Sequence, residues 1–223
     1  MKEGETIMDN YLTENIDTVI FDIGNVLAAF DWEGNLKKFG FSDEEYEAIA
    51  DAVYRSEDWN EMDRGVMTTE EVIRRFCDKI PQYEKDVRRV ISAYSGTIRQ
   101  YPYTKKLIRT LKEKGYRVYY LSNYGEYAVQ QTKKELDFTE LMDGGLFSYE
   151  VKMVKPNRWL FAELMRRYQL KPEECLFFDD NPKNAEAACE IGMKGIPFCG
   201  YETALCDLKK LGIELNNILV RSN

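Results

Sequence analysis

The stretch TVIFDIGNVLAAFDW, residues 18–32, decides how this chain is read. Its opening, with residues 16–22 as IDTVIFD, is a short apolar run rich in β-branched side chains, the pattern of a buried parallel strand. The run ends on a carboxylate, Asp22, and then turns through Gly24 and Asn25. A carboxylate at the end of a buried strand is either a reacting group or a cap. Gly24, which offers no side chain at all, is the less expected residue.

The rest of the composition narrows what Asp22 can do. A chain of 223 residues, 44% of them hydrophobic, can bury one sizeable core plus a smaller appended domain. A formal charge of −8 argues against nucleic acid or an anionic membrane as the main partner, since both call for a basic face. It leaves phosphate substrates open, because these are gripped by local groups. The sequence holds no histidine, which excludes Ser-His-Asp and Cys-His catalysis and histidine-ligated metals. Cys77, Cys175, Cys189, Cys199 and Cys206 are scattered, with no CxxC pair. A reduced, cytoplasmic chain without a thiolate metal site is the simplest expectation. The opening MKEGETIMDNYLTEN is polar and lacks the apolar segment of a signal peptide, and no run is long and apolar enough for a membrane span. The oligomeric state has no signature in the sequence.

Residues 33–97 read as all-helical. Ser42 with Glu45, and Thr68 with Glu71, form capping-box patterns ahead of amphipathic runs. Pro81 breaks the second helix, and YEKDVRRVISAYSG makes a third. Alternation follows: helix TKKLIRTLKEKG, strand YRVYYLSN, helix GEYAVQQTKKEL, a GLFSYEVKMVKP that is irregular with strand-like parts, helix NRWLFAELMRRYQL, strand CLFFDD, helix PKNAEAACEIG and a last strand KGIPF. Such alternation predicts an α/β fold with a doubly wound parallel sheet, interrupted after its first strand by an all-helical insert. The expected division is a core of residues 1–32 and 98–223 with a helical domain of residues 33–97.

Three predicted strands end in polar groups: Asp22, Ser122–Asn123 and Asp179–Asp180. In an open α/β sheet the carboxyl ends of strands line the ligand crevice, so one edge gathers them. Lys155, in VKMVKPN before a helix, can reach the same edge. Carboxylates, one lysine and one hydroxyl suit a hard cation such as Mg²⁺ together with a phosphate.

FDIGNVL, YLSN, VKP and LFFDDNPKN, in this order, resemble the four motifs of the haloacid dehalogenase-like hydrolase superfamily, and they bracket about residues 16 to 200. The match resembles most the small sugar-phosphate phosphatases, including the α-glucose-1-phosphatase-like branch, which also carries glycine in the place of Gly24. The resemblance implies a Rossmann-like core with a helical cap and a Mg²⁺-dependent phosphomonoesterase. Asp22 would be the nucleophile, forming an aspartyl-phosphate. Asp22, the Gly24 carbonyl and Asp180 would hold Mg²⁺. Ser122 and Asn123 would bind phosphoryl oxygens, and Lys155 would neutralise nucleophile and phosphate together. Asp180 is preferred to Asp179 as the ligand because Asn184 follows four residues later.

In typical family phosphatases an aspartate stands where this chain has Gly24, and it protonates the leaving oxygen. Three readings stay open: a substrate with a good leaving group, another acid (Asp31, Asp179, or Asp63 beside Arg64), or a silent member that only binds a phosphorylated ligand or a protein. A 2-haloacid dehalogenase is a further alternative, disfavoured by the paired Asp179–Asp180, which would repel a carboxylate substrate. Trp32, Trp59 and Tyr124 are candidates to line a cleft, while Trp159, spaced with Phe161 and Leu164, is expected in the core and Arg64 in solvent.

Overall fold

A computed structural model describes residues 15–215. The polar opening read above lies, apart from Asn15, outside the described residues. In chain order the elements are β1 (Thr18–Phe21), β2 (Ala28–Phe30), α1 (Trp32–Lys37), α2 (Asp43–Ala52), α3 (Asp58–Arg64), α4 (Thr69–Lys79), α5 (Glu84–Ser92), β3 (Ile98–Gln100), α6 (Thr104–Glu113), β4 (Arg117–Ser122), α7 (Glu126–Gln131), β5 (Gly144–Phe147), α8 (Ser148–Val151), α9 (Arg158–Tyr168), β6 (Cys175–Asp179), α10 (Pro182–Glu190), β7 (Lys194–Pro197) and α11 (Tyr201–Lys210).

The main sheet has the order β5-β4-β1-β6-β7, and every pairing is parallel. Its strands are buried on both faces, and alternation sorts their side chains. Val19, Phe21, Val118, Leu176 and Phe178 face one helical layer with Leu107, Ile108, Leu111 and Leu208. Ile20, Tyr119, Leu121 and Phe177 face the other, with Leu160, Phe161, Leu164 and Ala188. The doubly wound α/β fold expected from the alternation is therefore present. The chain steps outward from β1 to β4 and β5, then returns to the other side of β1 for β6 and β7. That reversal at β1 opens a crevice beyond the carboxyl ends of the strands. Register brings the ends level: Phe21 pairs with both Tyr120 and Phe178.

Helices α1 to α5 lie between β2 and β3, which pair antiparallel from Ala28↔Gln100 to Phe30↔Ile98. The chain thus leaves and re-enters the sheet layer at one place. These helices bury their own cluster, including Leu36, Ile49, Val53, Val72, Phe76, Val87 and Ile91. Thr68 and Glu71 make the full reciprocal capping box, whereas at α2 only the Ser42 hydroxyl accepting from Glu45 N, at 3.3 Å, is formed.

Three local readings differ from the structure, and a fourth is made definite. Helix α7 stops at Gln131 instead of running through KKEL. Thr132 Oγ1 donates to Ala128 O at 2.7 Å, and Glu135 is drawn away to accept from Gln100 N at the start of the return into the sheet layer. The strand-like part expected at the start of GLFSYEVKMVKP is the edge strand β5, Gly144–Phe147, which has parallel backbone pairing on one side only. Helix α11, the last of the described elements, was not anticipated. Trp159 is 63% exposed, with Arg158 over its ring, while Phe161 and Leu164 are buried. It sits on the outer side of the first turn of α9, where spacing to Phe161 does not place both residues on one face.

Helix α10 carries Asn184 and packs flush on β7. A Cβ added to Gly195 would run into the carbonyl oxygen of Ala185. Gly195→Ala is therefore expected to destabilise by about 1–3 kcal/mol. Calorimetry should show a melting temperature lower by roughly 2–4 °C for each kcal/mol.

Candidate functional site

Asp22 leaves β1 hydrogen-bonded through its backbone N to Phe178 O at 2.8 Å, which aims its carboxylate over the strand ends. The chain then turns sharply. Asn25 takes a left-handed φ of 55°, a conformation asparagine tolerates, and its amide donates to Asp180 Oδ2 at 2.9 Å. Gly24 sits inside this turn, and a Cβ there would meet nothing within 4 Å. The missing side chain leaves open space, not a steric necessity.

Lys155 is the centre of the site. Its Nζ lies 2.8 Å from Asp22 Oδ1 and 2.6 Å from Asp179 Oδ2, and it donates to Leu121 O at 3.0 Å. Leu121 O and Asp179 Oδ2 accept its hydrogen bonds, while Asp22 Oδ1 meets the ammonium as an ion pair without hydrogen-bond geometry. Asn123 positions this lysine: its amide donates to Lys155 O at 3.1 Å, and its Oδ1 accepts from Lys155 N at 2.7 Å. Lys155 is buried, and burial alone would favour its neutral form. The facing carboxylates of Asp22 and Asp179 outweigh that and raise its pKa.

The two aspartates of LFFDD have different surroundings. Asp179 is fully buried. Its Oδ1 accepts from Asn181 N and Asn184 Nδ2, both at 2.9 Å, and its Oδ2 faces Lys155. Asp180 is exposed and lines the cavity. Asn184 therefore serves Asp179, so the spacing argument that linked it to Asp180 is corrected. Access to the cavity is what distinguishes Asp180.

A cavity of about 210 Å³ opens above the strand ends, lined by Asp22, Gly24, Asp180, Ser122 and Asn123 on one side. Phe30, Trp59, Tyr94, Tyr124 and Asp63 close the other side. The structure thus brings Asp22, Gly24, Asp180, Ser122 and Asn123 to one place. Lys155 lies behind the carboxylates and does not line the space. Of the aromatic candidates, Trp59 and Tyr124 line it, whereas Trp32 stacks on Tyr54 at 4.7 Å. Arg64 pairs with Glu61 at 3.1 Å and is not among the lining residues. The sequence reading missed Asn25, Phe30, Tyr94 and Ile98 as lining residues. Only Asn25 carried a signal, the turn-forming Gly-Asn pair.

Carboxylate oxygens of Asp22, Asp179 and Asp180 lie within 4.8 Å of one another. Opposite ligands of an octahedral Mg²⁺ stand about 4.2 Å apart, so the carboxylates of Asp22 and Asp180 are spaced to close on such an ion after a small adjustment. The charge also fits: three carboxylates face one ammonium. Burial, with the charge of Asp179 added, pushes the Asp22 carboxyl up to about 6 against the pull of Lys155. A cation held there would return Asp22 to its ionised form. Asp63 is pushed up to about 7 by burial; the Gly125 amide lowers it, Asp22 raises it and Lys155 lowers it.

The profile of haloacid dehalogenase-like hydrolases matches residues 16–192. Sesquiterpene phosphatase astK of Aspergillus oryzae is 24% identical over 196 residues, covering 86% of this chain and 94% of that protein. Flavin mononucleotide hydrolase 1 of Arabidopsis thaliana is 25% identical over 159 residues, covering 71% of this chain; the chain spans 63% of that relative's length. The HAD family enzyme bt-2542 from Bacteroides thetaiotaomicron superposes with a TM-score of 0.67 at 23% identity, covering 84% of this chain and 96% of that one. The same enzyme, as a variant in complex with magnesium and inorganic phosphate, superposes at 0.63. At that identity the likeness is one of fold.

Two outcomes follow from the electrostatics. Lys155→Met leaves Asp22 and Asp179 buried side by side without their cation, and urea titration at pH 8 should show a loss of about 3–5 kcal/mol. Asp63 carries a raised pKa when folded, so its contribution to stability is complete below the ordinary value of 3.8 and is lost as pH rises through about 7. Between pH 5 and pH 8, the wild type should therefore lose stability relative to Asp63→Asn, on the order of 2 kcal/mol, in paired urea titrations.

Proposed function

The chain belongs to the haloacid dehalogenase-like hydrolases, and from that membership we propose that it is a Mg²⁺-dependent phosphomonoesterase. Its substrates are small phosphorylated metabolites, with sugar phosphates first. The observation that carries the reading is the buried ammonium of Lys155, 2.8 Å from Asp22 Oδ1, with Asp180 beside the same cavity.

Asp22 attacks phosphorus, the leaving oxygen departs, and the phosphoryl group is held on Asp22 until water releases it. Anion meets anion in this step, and Lys155 offsets part of the repulsion from behind. Asp22, Asp180 and the Gly24 carbonyl would hold Mg²⁺, which when bound supplies the remaining positive charge. Ser122 is buried and hydrogen-bonds Asp22, where it orients the carboxylate and lies in reach of a phosphoryl oxygen. Asn123 lines the cavity, but its side chain is engaged by Lys155, which leaves phosphoryl contacts to the backbone there.

Residues 33–97 act as the cap over the core formed by residues 1–32 and 98–223. Their separate hydrophobic cluster and the β2–β3 strap support that division. The cavity is smaller than the roughly 300 Å³ at which drug-sized ligand pockets begin, which favours compact esters. Its aromatic wall suits the CH face of a sugar ring and equally an isoprenoid. The relative that acts on sesquiterpenes makes the second substrate class worth testing. None of the described helices is long and apolar enough to cross a membrane.

Turnover of p-nitrophenyl phosphate, glucose 1-phosphate, acetyl phosphate and farnesyl phosphate with Mg²⁺ tests the assignment. Activity is expected on at least one probe, with loss by 10³-fold or so in Asp22→Asn and in EDTA. Phosphate binding without any turnover would mark a silent binding member. Chloride release from 2-chloropropionate in EDTA would mark a dehalogenase.

A further inference from the structure

We propose that Asp63, delivered by the helical insert, is the general acid and base that the chain lacks at Gly24. The proposal rests on the phosphatase reading above and names the residue that completes it.

Three groups of observations carry it. The first is place. Asp63 is buried, lines the same cavity as Asp22 and Gly24, and lies near enough to Asp22 for the two charges to interact. A Cβ on Gly24 would meet nothing within 4 Å, so the cavity these residues line has room for a leaving oxygen. The second is anchorage. Asp63 stands in the last turn of α3, which is tied down to the sheet layer. Ser148 Oγ donates to Asp63 O at 2.5 Å, Lys152 Nζ donates to Gly65 O at 2.5 Å, and the Gly125 backbone amide lies near enough to the Asp63 carboxyl to lower its pKa. A residue of the insert is thereby held in the frame of the core.

The third is elimination. Asp31 N-caps α1, accepting from Gly34 N at 2.8 Å, and does not line the cavity. Asp179 has both oxygens engaged beneath the cavity floor. Tyr94 and Tyr124 line the cavity, but burial pushes both phenols far above their ordinary value, so neither cycles its proton near neutral pH. Asp22 is the attacking group and Asp180 stands with it on the metal side of the cavity, which leaves Asp63, on the opposite wall and pushed up to about 7, as the lining group free to give and take a proton. The groups that face it are Asp22, Lys155, Tyr94, Tyr124 and the Gly125 amide.

The proton balance closes. As Asp22 forms its bond to phosphorus and the phosphorus–oxygen ester bond breaks, the Asp63 carboxylic acid transfers its proton to the leaving oxygen. Asp63, now a carboxylate, accepts a proton from the water that attacks the phosphoryl group on Asp22. Inorganic phosphate leaves, and both aspartates return to their starting states.

The test compares leaving groups in the full chain with Mg²⁺. In Asp63→Asn, turnover of β-glycerol phosphate, whose alkoxide needs a proton, is expected to fall by 100-fold or more. With p-nitrophenyl phosphate, whose phenolate leaves unaided, the variant is expected to release a burst of about one p-nitrophenol per active site and then turn over slowly, because the second step lacks its base. Asp63→Glu should recover part of the β-glycerol phosphate rate. An Asp63→Asn variant that keeps the wild-type rate on both probes, or loses both equally without a burst, overturns the proposal. If that variant does not fold, the wild-type pH profile decides. Turnover of β-glycerol phosphate should decline above about pH 7 more steeply than the first turnover of p-nitrophenyl phosphate, and coincident profiles overturn the assignment. A wild type inert to every phosphate ester refutes the phosphatase reading itself, a different result from an active wild type that is indifferent to Asp63.

Discussion

Two carboxylates at the ends of neighbouring parallel strands repel each other, and burial makes that repulsion costly. Lys155 resolves it. One ammonium, enclosed by the β4 backbone and both acids, holds Asp22 and Asp179 together at 2.8 and 2.6 Å. The arrangement is not a simple gain in stability, since desolvating three charges offsets most of their attraction. It sets the floor of the cavity and leaves it electron-rich, with Asp180 unneutralised at the rim. The local demand for a divalent cation follows from that imbalance.

The roof of the cavity depends on the insert in a different way. Trp59 stacks toward Tyr94 at 6.0 Å, Tyr94 meets Tyr124 edge-on at 6.5 Å, and Tyr124 packs on Phe147 of β5 at 5.6 Å. This aromatic chain joins the cluster within the insert to the cluster under the sheet. It also excludes water from one side of the space above Asp22, which strengthens every charge interaction inside. Asp63 is placed by the same contact zone. Under the role proposed for Asp63, chemistry and closure are mechanically linked: a shift of α3 that opened the cavity would withdraw Asp63 as well.

Legibility varied with how local the cause was. The strands ending on Asp22, Ser122 and Asp179 were readable because apolar runs stopped by polar groups are properties of a few consecutive residues. β5 was harder, since an edge strand of four residues with two glycines has little pattern of its own and exists through its pairing with β4. Helix α7 ended early because Glu135 has a partner on β3, a contact between distant segments. Trp159 was misplaced because spacing along a helix gives relative positions of side chains, not which direction is inward. Asn184 was assigned to the wrong aspartate for a similar reason: its amide turns to the buried Asp179, and only geometry shows which of two adjacent carboxylates points down.

By itself the sequence determined the α/β architecture, the strand-end position of Asp22, and the set of residue types available for chemistry. These depend on periodicity and composition, which are local and additive. The tertiary structure alone decided which groups meet. It turned Asp179 inward to Lys155 and left Asp180 facing the cavity. It left open space at Gly24 and carried Asp63 from a separate helix to the cavity above Asp22. Such pairings arise from packing between elements far apart in the chain, and no short window of residues encodes the angle at which two packed layers face each other.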